Sequence, residues 1–222
     1  MCRRRLFLVR SPLSNIAAII LAAGLSSRFE SGSNETKLVA LLSGKPLVRH
    51  VAEAALASRA RPVLVITGHA AAQVKNALTD LSLSFVFNPD YRTGLASSLK
   101  AGIAALPETA AGALVLLADM PCISAGLMDC LIEAFEASPR APFAVVPVHA
   151  GLRGNPALIG KKLFDSLKRL EGDRGARALL GAAGKDVLEW CVDDEASQID
   201  IDSIEALRKL RVSQPEQRQP TS

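Results

Sequence analysis

The stretch IAAIILAAGLSSR, residues 16–28, opens as an uninterrupted apolar run, passes through small residues to Gly24, and ends in Ser26, Ser27 and Arg28. A run of this length, rich in isoleucine and free of alternation, reads as a strand covered on both faces. Similar runs recur at Pro62–Thr67 (PVLVIT), Ser84–Phe87, Ala113–Leu117 (ALVLL) and Phe143–Val148 (FAVVPV). Between them, Leu47–Ala57, Ala71–Leu81, Ser97–Leu106 and Ala125–Ala137 carry apolar residues at three- and four-residue spacing, with Pro46 placed to start the first. Strands alternating with helices predict an α/β fold, a mostly parallel sheet with helices on both faces. After Ile159 the pattern loosens into helices at Lys162–Leu170 and Gly175–Ala183, a strand at Val187–Val192 and a last helix at Ile204–Leu210.

Of the 222 residues, 49% are apolar, 22% charged and 4% aromatic, so the chain has ample material for a core and is not a disordered protein. One domain is expected over 15–212, preceded by a flexible extension, 1–14, and followed by a polar, proline-containing disordered tail, 213–222. The formal charge of +4 comes from Arg3, Arg4, Arg5 and Arg10; without them 22 bases face 22 acids. A short basic arm is not the basic face that nucleic-acid binding requires. Cys2, Cys122, Cys130 and Cys191 form no C-x-x-C pair and have no histidine at zinc-ligand spacing, which predicts reduced thiols in a cytoplasmic protein. The Arg-rich start followed by the apolar run Ile16–Leu25 also has the outline of a secretory signal. Against that, Arg10 and the polar stretch Ser11–Asn15 intervene, and ten apolar residues cannot span a bilayer.

In an open parallel sheet, ligands bind beyond the carboxyl ends of the strands, which directs attention to the loops that follow them. After the first strand come Ala23, Gly24, Ser26 and Arg28, then a polar segment, then Lys37. Small residues let backbone N–H groups converge on phosphate oxygens while cations neutralise them; the same composition also fits a glycine turn with solvated charges. The ALVLL strand ends in Ala118-Asp119-Met120-Pro121. An acid at the end of a buried strand is either hydrogen-bonded in a turn or holds a cation, and Pro121 aims Asp119 outward by extending Met120. One carboxylate beside phosphates suits Mg²⁺, which keeps waters and takes few protein ligands.

Together, LAAGLSSRF and Lys37, the segment Asn88–Leu99 (NPDYRTGLASSL), LADMP from Leu117 and GNPAL from Gly154 resemble the MobA-like NTP transferase family. Within it, the likeness is greatest to molybdenum cofactor cytidylyltransferases, and it runs from Ile16 to about Leu210. The resemblance implies a single-domain, Rossmann-like nucleotidyltransferase fold. It implies that Ala23, Gly24, Ser26, Arg28 and Lys37 hold a triphosphate, that Leu21 and Ala22 lie beside the base, and that Gly94, Ser97 and Ser98 form a second nucleotide-contacting stretch. The LAAG sequence, in place of LAGG, is similar to the cytidylyl enzymes and implies CTP. Asp119 looks like the Mg²⁺-binding aspartate, completed by Asp200 or Asp202, with Asp202 preferred. Gly172–Arg177 resembles an acceptor-side stretch, which brings in Asp173 and Arg177, and Asn155 stands where many relatives have histidine.

The implied reaction is in-line attack of an acceptor phosphate oxygen on the α-phosphorus, with pyrophosphate leaving. Positioning and electrostatics would carry the rate, with Arg28, Lys37 and Asp119 as catalytic residues and no general base. His50, His69 and His149 are accordingly read as structural or solvated. Implied partners are a nucleoside triphosphate and a phosphorylated small molecule such as molybdopterin, with a molybdoenzyme or chaperone as a protein partner; nucleic acid and membrane are not expected. Three departures stand out: an insert at Glu30–Thr36 before Lys37, Asn155 in GNP, and Ser203-Ile204 in place of a Thr-Pro pair. Competing readings keep the fold with another phosphorylated acceptor, or make the protein a non-catalytic nucleotide-binding regulator.

Overall fold

Every residue of β1 (Ile16–Ala22) is buried, and its side chains split between two layers. Ile16, Ala18, Ile20 and Ala22 join one apolar cluster and Ile19 and Leu21 another, so the run lacks alternation because both faces of the strand are covered. The computed structural model describes residues 15–25, 36–172, 176–193 and 195–213. Along the chain follow β2 (Leu41–Leu42), β3 (Lys45–Pro46), α1 (Leu47–Ala57), β4 (Val63–Thr67), α2 (Ala71–Ala77), β5 (Ser84–Phe87), α3 (Leu95–Ala104), β6 (Gly112–Leu117) and α4 (Ala125–Glu136). Then come β7 (Ala144–His149), β8 (Leu152–Arg153), β9 (Ala157–Gly160), α5 (Phe164–Leu167), α6 (Arg177–Ala182), β10 (Val187–Cys191) and α7 (Ile204–Ser213).

The main sheet runs β10-β7-β9-β6-β1-β4-β5, with β8 paired to β7. β1 pairs in parallel with both β4 and β6, and β4 with β5. The chain leaves β1 toward β4 and β5, then returns to the other side of β1 as β6. That reversal opens a crevice at the carboxyl ends of β1 and β6, where register sets Leu21 opposite Leu117. Ala23 and Asp119 therefore emerge side by side. On one face α1 brings Val48 and Val51 against β1, and α4, packed on β7, β9 and β10, adds Met128 and Leu131 to the same apolar cluster; on the other face α3 brings Leu99 and Ile103.

The architecture is the expected single α/β domain, with differences in detail. β9 was not expected as a strand. It lies antiparallel between β6 and β7, and its four residues carry too short a pattern to be read locally; the two flanking strands define it. α2 stops at Ala77, where Leu78 closes a turn, and Asp80 beyond it pairs with Arg49 of α1. α3 begins at Leu95, directly after Gly94, whose φ of 108° suits a residue without a side chain. α7 runs on to Ser213. The predicted extension, 1–14, and all of the predicted tail except Ser213 lie outside the described residues.

Candidate active site

At the end of β1 the chain passes from buried Ala23 to exposed Gly24. Two backbone bonds fasten this exit: Ala118 N–H donates to Leu21 C=O at 3.2 Å, and His69 N–H to Ala23 C=O at 3.4 Å. A Cβ on Gly68, just after β4, would lie 2.6 Å from Tyr91 Cβ and 2.8 Å from Ala23 Cβ. Gly68 is thus the point where the loops after β1, β4 and β5 close on one another. Nothing but the glycine after a strand marked it in the sequence, and it was not among the candidate residues.

Lys37 opens a short 3-10 turn, Lys37–Val39, and is held on both sides. Thr36 N–H donates to Gln73 Oε1 at 3.0 Å, and Leu38 is buried in the core. From there the Lys37 ammonium reaches 2.6 Å from Asp119 Oδ2 and 3.3 Å from Asp202 Oδ1. Lys37 and Asp119 are 15% and 17% exposed, Asp202 51%. Burial works against the ammonium, but the two carboxylates outweigh it and hold the Lys37 pKa above its ordinary value. Asp202 is brought in by its neighbour: Ile201 N–H donates to Asp119 C=O at 2.9 Å, and the Ile201 side chain is buried with Leu42, Leu47 and Leu207. Burial, then the charges of Asp202 and Asp119, push the Asp200 carboxyl up.

Asp119 and Asp202 converge on a single position that a cation already takes, and their donor set of hard oxygens fits Mg²⁺. No group of three or more His, Cys, Asp or Glu side chains forms a ready-made metal cage among the described residues.

Gly94, Ser97 and Ser98 lie at the start of α3, joined by Asn88 at the end of β5. The buried Asn88 amide donates to Ser97 Oγ at 2.9 Å and to Ser98 Oγ at 3.0 Å. Leu21 and Ala22 are buried, leaving mainly their backbone to face the crevice. The Asn155 N–H donates to Ser197 C=O at 2.7 Å. Ser26, Arg28 and Asp173 lie outside the described residues; Arg177 starts α6, and its side chain is not among those described. His50 Nε2 lies 2.9 Å from Leu42 C=O and His149 Nδ1 3.2 Å from Val192 C=O, contacts to backbone carbonyls. Among the described residues, Cys122, Cys130 and Cys191 form no disulfide. No described helix is long and apolar enough to cross a membrane.

Comparison with known proteins bears on the family and the fold. The chain is 35% identical over 122 residues to the bifunctional protein GlmU of Legionella pneumophila strain Corby, covering 55% of this chain and 26% of that protein. It therefore spans about a quarter of the length of that curated relative. Among solved structures it is similar to Rv0371c of Mycobacterium tuberculosis H37Rv, with a TM-score of 0.78 and 24% identity over 90% of this chain and 100% of the other. Rv0371c has also been solved with manganese. A CMP:2-keto-3-deoxy-manno-octonic acid synthetase complexed with CTP superposes with a TM-score of 0.72 and 16% identity, covering 90% of this chain and 98% of that one. The MobA-like NTP transferase domain matches residues 18–187. With the crevice, the turn after β1 and the matched span in agreement, the chain belongs to the MobA-like NTP transferase domain family.

Proposed function

We propose that the protein is a Mg²⁺-dependent nucleotidyltransferase that moves CMP from CTP onto a phosphorylated acceptor such as molybdopterin and releases pyrophosphate. The observation that carries this reading is the meeting of Lys37, Asp119 and Asp202 at the carboxyl end of β6, one strand from the Ala23–Gly24 turn. Family membership supports the reaction class. The LAAG sequence and the fold shared with a CTP-bound synthetase favour cytidine.

In this reading the backbone at Ala23 and Gly24, with Ser26, cradles phosphate oxygens, and Arg28 joins them from the same loop. Among the described residues, nothing lies within 4 Å of where a Cβ on Gly24 would sit, which leaves its backbone open to a phosphate on that side. Asp119 and Asp202 would hold Mg²⁺, which supplies charge neutralisation on the nucleotide phosphates when bound. The Lys37 ammonium leaves its two carboxylates for the triphosphate, where it neutralises charge as the α-phosphorus is attacked. The nucleophile is a phosphate oxygen that is already ionised, so no side chain needs to remove a proton. Incubation with Mg²⁺, each of four nucleoside triphosphates and, in separate reactions, molybdopterin or another small phosphorylated acceptor such as a sugar phosphate, followed by pyrophosphate measurement, tests this directly. Release with CTP and molybdopterin is the expected result. No release with any nucleotide and any phosphorylated acceptor refutes it.

A second reading keeps the transfer and changes the acceptor to another small phosphorylated metabolite, a sugar phosphate among them. The Asn155 departure and the likeness to GlmU favour it. The same assay separates the two by which acceptor is consumed.

A further inference from the structure

Asn88 sits at the carboxyl end of β5, 2% exposed, with its side chain fully engaged. Asp90 N–H donates to Asn88 Oδ1 at 3.0 Å. A backbone N–H can only donate, so this bond fixes which end of the amide is oxygen and turns Nδ2 toward Ser97 and Ser98. The Ser97 hydroxyl, receiving from Asn88, spends its own proton inside the same loop, with Asp90 C=O at 2.9 Å and Gly94 C=O at 2.8 Å. Asn88 N–H donates in turn to Thr67 C=O at 2.8 Å, the last residue of β4. The loop between β5 and α3 is therefore closed on itself by one side chain and anchored to the sheet by the same residue. Its middle, Tyr91, and Ala23 of the turn after β1 both lie close against Gly68, which brings the loop and the glycine turn together at that residue.

We infer that Asn88 is the positioning residue of the nucleotide site: it sets the height and tilt of Gly94 and the first turn of α3 relative to the Ala23–Gly24 turn. Ser97 serves it as a brace and is not a free donor to the ligand. This rests on the reading that the first turn of α3 faces the nucleotide. The role passes through the two hydroxyls and the Asp90 amide, so Asn88 touches no substrate. A buried amide with both ends satisfied is well suited to such a task, because any other arrangement leaves polar groups unpaired.

The test is a double-mutant cycle on the full chain, read by calorimetric binding of CTP with Mg²⁺, with melting temperature recorded for every variant. Asn88→Ala weakens nucleotide binding by about tenfold, and KM for the nucleotide rises with a smaller change in kcat. Ser97→Ala weakens it less. Asn88→Ala with Ser97→Ala binds within about twofold of Asn88→Ala alone, because both remove one network. Ser97→Thr, which keeps the hydroxyl, binds like the parent. Effects that multiply in the double variant overturn the inference. So does an Asn88→Ala protein that melts earlier yet binds CTP normally well below its melting point. If every variant including the parent binds no nucleotide, the functional reading itself falls; if the parent binds and Asn88→Ala matches it, only this inference does.

Discussion

The Lys37 ammonium lies 2.6 Å from Asp119 Oδ2 although 82 residues separate them in the chain. Three loops meet in that contact: the segment entering the 3-10 turn at Lys37, the exit from β6, and the stretch before α7 that supplies Asp202. The cation and its carboxylates form one electrostatic unit whose parts have different tasks once phosphates enter.

Lys37→Ala and Asp119→Ala each lower pyrophosphate release by roughly 10²-fold or more, the scale of removing a group that stabilises charge in a transition state. Steady-state assays under saturating nucleotide check this. Rates within a few fold of the parent in either variant would remove that residue from the catalytic set.

The raised Lys37 pKa predicts an alkaline signature in stability. A folded-state value above the ordinary 10.5 means the charged pair contributes fully below that pH and is lost as pH rises through the folded value. The melting-temperature gap between the parent and Lys37→Met is therefore widest below pH 10.5 and closes above it. Thermal melts across the alkaline range measure the gap; one that widens with pH reverses the assignment.

Asp200 predicts the opposite use of the same linkage. Burial and the neighbouring carboxylates raise its pKa above the ordinary 3.8, so its ionised form costs the folded state at neutral pH and costs nothing once both states are protonated. Asp200→Asn, measured with chelator present, melts slightly higher than the parent at pH 7, and the difference disappears below pH 3.8. Solvent screening at this exposed residue keeps the gain small. A lower melting point at pH 7 contradicts the argument.

Gly68→Ala forces a Cβ to within 2.6 Å of Tyr91 Cβ and 2.8 Å of Ala23 Cβ, so two loops must move apart. We expect a loss of about 1–3 kcal/mol in denaturant unfolding, as for other overpacked sites. Weaker CTP binding should accompany it, because the displaced elements are the glycine turn and the loop that Asn88 closes. Unchanged stability would mean that the loops accommodate the methyl group freely.

β1, β4 and the helix Leu47–Ala57 were legible with their full or nearly full extents, because apolar burial on two faces leaves an unbroken hydrophobic run and amphipathic burial leaves a three- and four-residue spacing. β5 was legible in extent, but as an edge strand its four residues are exposed or half-buried and the expected burial on both faces does not hold there. Asp119 was legible as an acid ending such a run. β9 was not, since a four-residue strand owes its conformation to partners far away in the chain. Gly68 and Asn88 escaped notice because a glycine after a strand and an Asn-Pro-Asp turn are common, and their meaning lies in what they touch.

What the amino-acid order determined alone was the alternation of strands and helices, the both-sided burial of the central strands β1 and β4, and the fact that charged and small residues cluster where strands end. These are local consequences of periodicity and backbone preference. What only the tertiary structure decided was that Lys37, Asp119 and Asp202 share one place, that Asp202 is the partner Lys37 reaches, and that Asn88 ties β5 to α3. The physical reason is that such convergence depends on strand order and on long-range bonds such as Ile201 N–H to Asp119 C=O, which no local pattern encodes.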